Sequence, residues 1–119
     1  MAIDTVTSLY RAEFERSKEK TFKMNRELGR QLALLAQIVK TRKIAALITS
    51  QVRNVFLEGF VTTEPVGTRV LKFWSDSVLG LRPADHRNTI KAVLEKHAQR
   101  SGPVNCYFSI EENGICDCR

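Results

Sequence analysis

Nowhere does this 119-residue chain string together the roughly 18 apolar residues of a membrane span. Its first residues, MAIDTVTSLYRAEFERSKEK, lack the apolar stretch of about 7 to 15 residues that a secretory signal requires. Membrane insertion is therefore not expected, and the protein is expected in the cytoplasm, the nucleus or both. Proline and glycine are scarce, at three and six, which argues against a disordered chain. Only three cysteines are present, too few for a disulfide framework; in a reducing compartment they read as thiols or metal ligands. Also missing are a phosphate-binding Gly-x-x-x-x-Gly-Lys loop, a Gly-x-Ser-x-Gly elbow, a His-Glu-x-x-His pair and a Gly-x-Gly-x-x-Gly turn. Asp85 and His86 are adjacent, so on a helix they diverge, and they read as polarity at a helix start. With no catalytic constellation, the expectation is a protein that is not an enzyme.

What the chain does have is localised charge. Between Arg11 and Lys43, ten cations meet four anions, a net of +6 that equals the formal charge of the whole molecule. Such a concentrated field suits a polyanionic partner.

At this length one domain is expected, divided as a long basic helix over 1–43, a helical core over 44–102 and a cysteine-bearing hairpin over 103–119. Leu28, Leu32, Leu35 and Val39 recur at helical spacing, and the absence of proline from Leu9 to Phe60 predicts one very long helix or two meeting near Lys40–Lys43. Ile44, Leu47, Ile48, Val52, Val55 and Phe56 predict a second helix with a broad apolar stripe. Val70, Phe73 and Trp74 predict a third, and Ile90, Val93, Leu94 and His97 a fourth. The last residues turn β-prone around Glu112-Asn113-Gly114, which suits a three-residue hairpin loop. The fold class expected is mainly α: a small bundle of about four helices with a long basic first helix and a short C-terminal β-hairpin.

Three constellations follow. Arg16, Lys20, Lys23 and Arg30 stack along one side of a helix, with Arg26 beside them and Lys40, Arg42 and Lys43 extending the basic surface. These eight are the candidate nucleic-acid contacts, suited to backbone phosphates and poor at reading bases. His97, Cys106, Cys116 and Cys118 form a candidate Cys₃His set for one structural zinc, given a three-residue loop that places all three thiols on one hairpin face. Leu28, Leu32, Leu35 and Val39 form a candidate interface seam.

Small basic proteins that sequester double-stranded RNA, including viral suppressors of RNA silencing, share this composition. The function expected is phosphate-directed binding of double-stranded RNA, favoured over DNA, by a homodimer that shares the apolar stripe. The alternative is a helical adaptor docking through the leucine seam.

Overall fold

The computed structural model describes residues 1–6, 18–57, 59–65, 67–102 and 104–118, and divides into two compact units, Met1–Trp74 and Ser75–Arg119. It corrects the mainly-α expectation. Among the described residues, two helices, α1 (Lys18–Arg42) and α2 (Thr68–Trp74), accompany eight strands: β1 (Ala2–Ile3), β2 (Leu47–Ile48), β3 (Val52–Leu57), β4 (Phe60–Pro65), β5 (Ser77–Pro83), β6 (Thr89–His97), β7 (Val104–Glu111) and β8 (Gly114–Asp117).

In the first unit β1 and β2 pair in parallel, Ala2 with Leu47 and Ile3 with Ile48. Parallel neighbours need a crossover connection, and α1 provides it. The helix stops at Arg42 because Lys43 takes a left-handed φ of 53°, and the Ile44 amide then reaches back to the Val39 carbonyl at 3.2 Å. That six-to-one closure satisfies a terminal carbonyl and turns the chain into β2. The predicted second helix over 44–60 does not form. Its short apolar run is rich in β-branched Ile44, Ile48, Val52 and Val55, a composition that fits strands as well as a buried helix.

Leu28, Leu32 and Leu71 are buried, with Val6, Leu35, Ile48 and Val70 packed around them. At Gly29 an added Cβ would meet the Val70 side chain at 3.6 Å, an ordinary contact that α2 could accommodate. Gly67 is more constrained: its φ is +70°, and an added Cβ would sit 3.0 Å from Leu28 Cδ2. Gly67→Ala is expected to lower stability by about 1–3 kcal/mol in denaturant unfolding, from left-handed strain and the contact together. Gly59→Ala, at φ +84° with open space around it, should show the strain alone.

The antiparallel pair β3–β4 runs in register from Val52 opposite Pro65 to Leu57 opposite Phe60.

The second unit is an antiparallel sheet in the order β5-β6-β7-β8. Here the predicted fourth helix is replaced by β6, and Asp85 and His86 fall in an exposed turn before it. Ile90, Ala92 and Leu94 alternate onto one face, a period of two that coexists with the helical spacing of Ile90, Val93 and Leu94. Leu81, Ala92 and Cys106 share one cross-strand row, and Leu79, Leu94 and Val104 the next. The opposite face carries Arg82, Lys91 and Tyr107, with the Lys91 ammonium 5.7 Å from the Tyr107 ring centre. The terminal hairpin forms, but its loop is two residues, Glu112 and Asn113, between Glu111 and its partner Gly114 at φ +118°.

Candidate functional site

The parallel pair brings together two polar residues that lie far apart in the chain. Each strand is a brief apolar run that ends in polar residues: Ala2-Ile3 gives way to Asp4, and Leu47-Ile48 to Thr49-Ser50-Gln51. Backbone bonds continue past both strands, from the Thr49 amide to the Ile3 carbonyl at 3.0 Å and from the Val6 amide to the Thr49 carbonyl at 3.0 Å. These hold the side chains in register, and the Thr49 hydroxyl donates to Asp4 Oδ1 at 2.5 Å. Both residues are exposed. Ligands of α/β sheets bind outside the carboxyl ends of parallel strands, which is where this carboxylate stands. One hydroxyl bond uses only part of the acceptor capacity of a carboxylate, so Asp4 retains the means to meet a hard cation.

Neither residue stands out in the sequence, where Thr49 falls inside the helix expected from Ile44 to Phe56. The available signal was the pair of short apolar runs, each closing on a hydroxyl or carboxylate.

Lys20, Lys23, Arg26 and Arg30 are exposed on the side of α1 away from Leu28 and Leu32; Lys40, Arg42 and Lys43 are exposed at its C-terminal end. Arg16 lies outside the described residues. Glu27, on the same helix, accepts a bond from Gln31 Nε2 at 3.2 Å.

The Cys₃His set is not assembled. The two-residue loop pairs Cys116 with Ser109, and Cys106 lies opposite Ala92, so Cys106 projects from one face and Cys116 from the other. His97 pairs with Ser77 at the far end of β6. Among the described residues, no group of three His, Cys, Asp or Glu side chains could hold a metal. The seam is equally committed: Leu28 and Leu32 are 0% and 3% exposed in the core of their own unit, with Leu35 packed against them. They are not a docking surface.

Comparison with known proteins decides the family. The Rad51 family model matches residues 1–118. The chain belongs to the Rad51 family. It is 36% identical over 115 residues to the DNA repair and recombination protein RadB of Methanocaldococcus jannaschii, covering 97% of this chain and 51% of that protein. The RadB of Methanococcus maripaludis strain C7 is 35% identical over 113 residues, covering 95% and 50%. A crystal structure of the RadB recombinase superposes with a TM-score of 0.71 at 32% identity, over 99% of this chain and 50% of that one. The chain thus spans about half the length of the relatives it matches.

Family membership overturns the expectations of a double-stranded-RNA binder, a viral silencing suppressor, a zinc protein and a helical adaptor. It also overturns the expectation of a protein that is not an enzyme, because Rad51 and RadB recombinases are ATPases. The missing phosphate-loop motif misled on this point: its absence from a chain matching half of a recombinase says little about the whole. Among the described residues, no helix is long and apolar enough to cross a membrane.

Proposed function

We propose that this chain supplies part of an ATP-dependent recombinase acting on DNA, with Asp4 and Thr49 at the nucleotide-metal end and the cationic side of α1 facing DNA phosphates. The observation that carries this reading is the Asp4 carboxylate at the mouth of a parallel strand pair, oriented by the Thr49 hydroxyl. Magnesium is favoured by oxygen donors and is held in such enzymes by one or two carboxylates together with substrate phosphates. Asp4 and Thr49 fit that donor set; they are hard ligands and exposed. When bound, the ion would supply positive charge that offsets the negative charge developing on the phosphates.

The work of this chain's own residues is positional. Asp4 would hold the ion, Thr49 would keep one carboxylate oxygen turned toward it, and Gln51, exposed two residues beyond Thr49, is near enough in sequence to address the same ligand. The sequence carries no Gly-x-x-x-x-Gly-Lys loop to cradle the phosphates. Those contacts would come from the other half of a complete recombinase.

DNA is the proposed nucleic acid because the relatives are DNA repair and recombination proteins. Lys20, Lys23, Arg26 and Arg30 would meet its backbone, each contact releasing counterions and conferring salt dependence. The cytoplasm is the proposed location, since the relatives come from archaea, whose cells have no nucleus. The homodimer expectation rested on a helical stripe over 44–56 that the strands replace.

The test of the DNA contacts is a titration of duplex and single-stranded DNA at two ionic strengths. Wild-type affinity is expected to fall steeply with salt, and the triple variant Lys20→Glu, Lys23→Glu, Arg30→Glu to bind about 10²-fold more weakly at the lower salt. Equal affinity for variant and wild type would remove α1 from the interface.

A further inference from the structure

A single residue, Asp117, separates Cys116 from Cys118. Side chains of an extended chain alternate, so an interval of two returns the second thiol to the side of the first. The register of β7 and β8 identifies that side. Ser109 stands opposite Cys116 and Phe108 opposite Asp117, so the next position, that of Cys118, falls in the row of Tyr107, Lys91 and Arg82 on the polar face of the sheet. Both are free thiols, Cys116 exposed and Cys118 half-buried. Cys106, opposite Ala92, projects from the other face and takes no part in the pair.

Same-side positions of a strand lie about 6.5–7 Å apart, whereas the β-carbons of a disulfide must approach to about 3.5–4.5 Å. A metal ion held between the two sulfurs spans that difference and leaves the strand ladder intact. The donor set then selects the ion. Among the described residues no group of three His, Cys, Asp or Glu side chains is assembled, so a metal that requires four protein ligands is not served here. Thiolates are soft donors that suit Cu(I), an ion content with two ligands in line. Two thiolates around one monovalent cation carry a net charge of −1, and the neighbouring row supplies the opposite sign. Arg82 is already engaged by Glu95 at 3.2 Å, while the Lys91 ammonium stands 5.7 Å from the Tyr107 ring centre, beside the row that Cys118 joins.

We propose that Cys116 and Cys118 form a two-coordinate site for Cu(I) on the polar face of the β5–β8 sheet, with Lys91 offsetting the charge of the complex. Binding joins two thiols and one Cu(I) into a bis-thiolate and releases two protons to solvent. The site is independent of the nucleotide and DNA proposals.

The chain is titrated with Cu(I) under anaerobic conditions and a thiol-free reductant, against bicinchoninate, a chelator whose copper complex is coloured. Transfer of one copper per chain is expected, with the X-ray absorption edge of a metal bound by two sulfurs. Cys116→Ser and Cys118→Ser should each abolish the transfer and Cys106→Ser should preserve it, with circular dichroism verifying that all three keep the wild-type strand content. Lys91→Glu reverses the charge beside the pair without touching a ligand; at low salt it should weaken binding by about threefold to tenfold and leave the stoichiometry at one. Three results would each overturn the proposal: copper capture that survives the loss of Cys116 or Cys118, capture that depends on Cys106, or one copper per two chains. The last would mean that the ligands come from different copies.

Discussion

Asp4→Asn is expected to lower ATP hydrolysis by about 10²-fold or more in a chimaera where this chain replaces the matching half of the Methanocaldococcus jannaschii RadB. The amide keeps the size and one acceptor of the carboxylate but removes the charge that a divalent cation needs. The fold should be indifferent to the change. The strand ends are joined by backbone bonds, from the Thr49 amide to Ile3 and from the Val6 amide to Thr49, and by the Thr49 hydroxyl bond to Asp4 Oδ1, which an asparagine Oδ1 can still accept. Thr49→Val should act more mildly, by about tenfold, because it removes the hydroxyl that orients the carboxylate while leaving its charge. The order of the two effects is itself diagnostic. A Thr49→Val loss equal to that of Asp4→Asn, with unchanged folding, would mean that the hydroxyl is the primary ligand and Asp4 its support.

Leu28→Ala is expected to cost about 2–5 kcal/mol. Leu28 is fully buried and touches both helices' packing surfaces: Leu32 and Leu71 lie in its cluster, and Gly67 approaches its Cδ2. Truncation there leaves a cavity that a helix pinned between two strand connections cannot easily collapse. A loss of that size is a large share of the roughly 5–15 kcal/mol that holds a domain together. Leu34, six residues along the same helix, is 59% exposed and faces away, so Leu34→Ala should change stability by about 0.5 kcal/mol or less. Denaturant unfolding of the two variants measures the difference. Equal losses would mean that α1 packs through a different face.

The helix of the first unit was visible in the spacing of Leu28, Leu32, Leu35 and Val39, because 25 residues repeat its period often enough to be unmistakable, but the four were read as an interface seam, whereas Leu28 and Leu32 are buried in the unit's own core with Leu35 packed against them. The terminal hairpin was visible too, through Asn113-Gly114. Its loop length was not, and one residue of difference moved Cys106 to the opposite face, dissolving the zinc set. The strands over 47–57 and 89–97 were misread as helices for a single reason. Short apolar runs such as Ile44–Ile48 and Ile90–Leu94 satisfy helical and extended periods at once, and the β-branched residues that favour strands weigh little against tertiary context.

The candidate site was illegible for a different reason. Asp4 and Thr49 are 45 residues apart in sequence, and only the parallel pairing of two-residue strands brings them together. No local pattern encodes that proximity. The cationic side of α1 was legible as a pattern, since helical spacing alone places Lys20, Lys23, Arg26 and Arg30 together. Its partner was not, because phosphates of RNA and DNA present the same charge to a lysine.

Paramagnetic relaxation tests the central claim most directly. Manganese substitutes for magnesium beside oxygen ligands, and it broadens nuclear resonances of the residues that hold it. With manganese and a non-hydrolysable ATP analogue added to the isotopically labelled chimaera, amide signals of Asp4, Thr49 and Gln51 are expected to broaden first. Undiminished signals at Asp4 and Thr49, with broadening elsewhere in the chain, would contradict the assignment of the strand ends as the nucleotide-metal site.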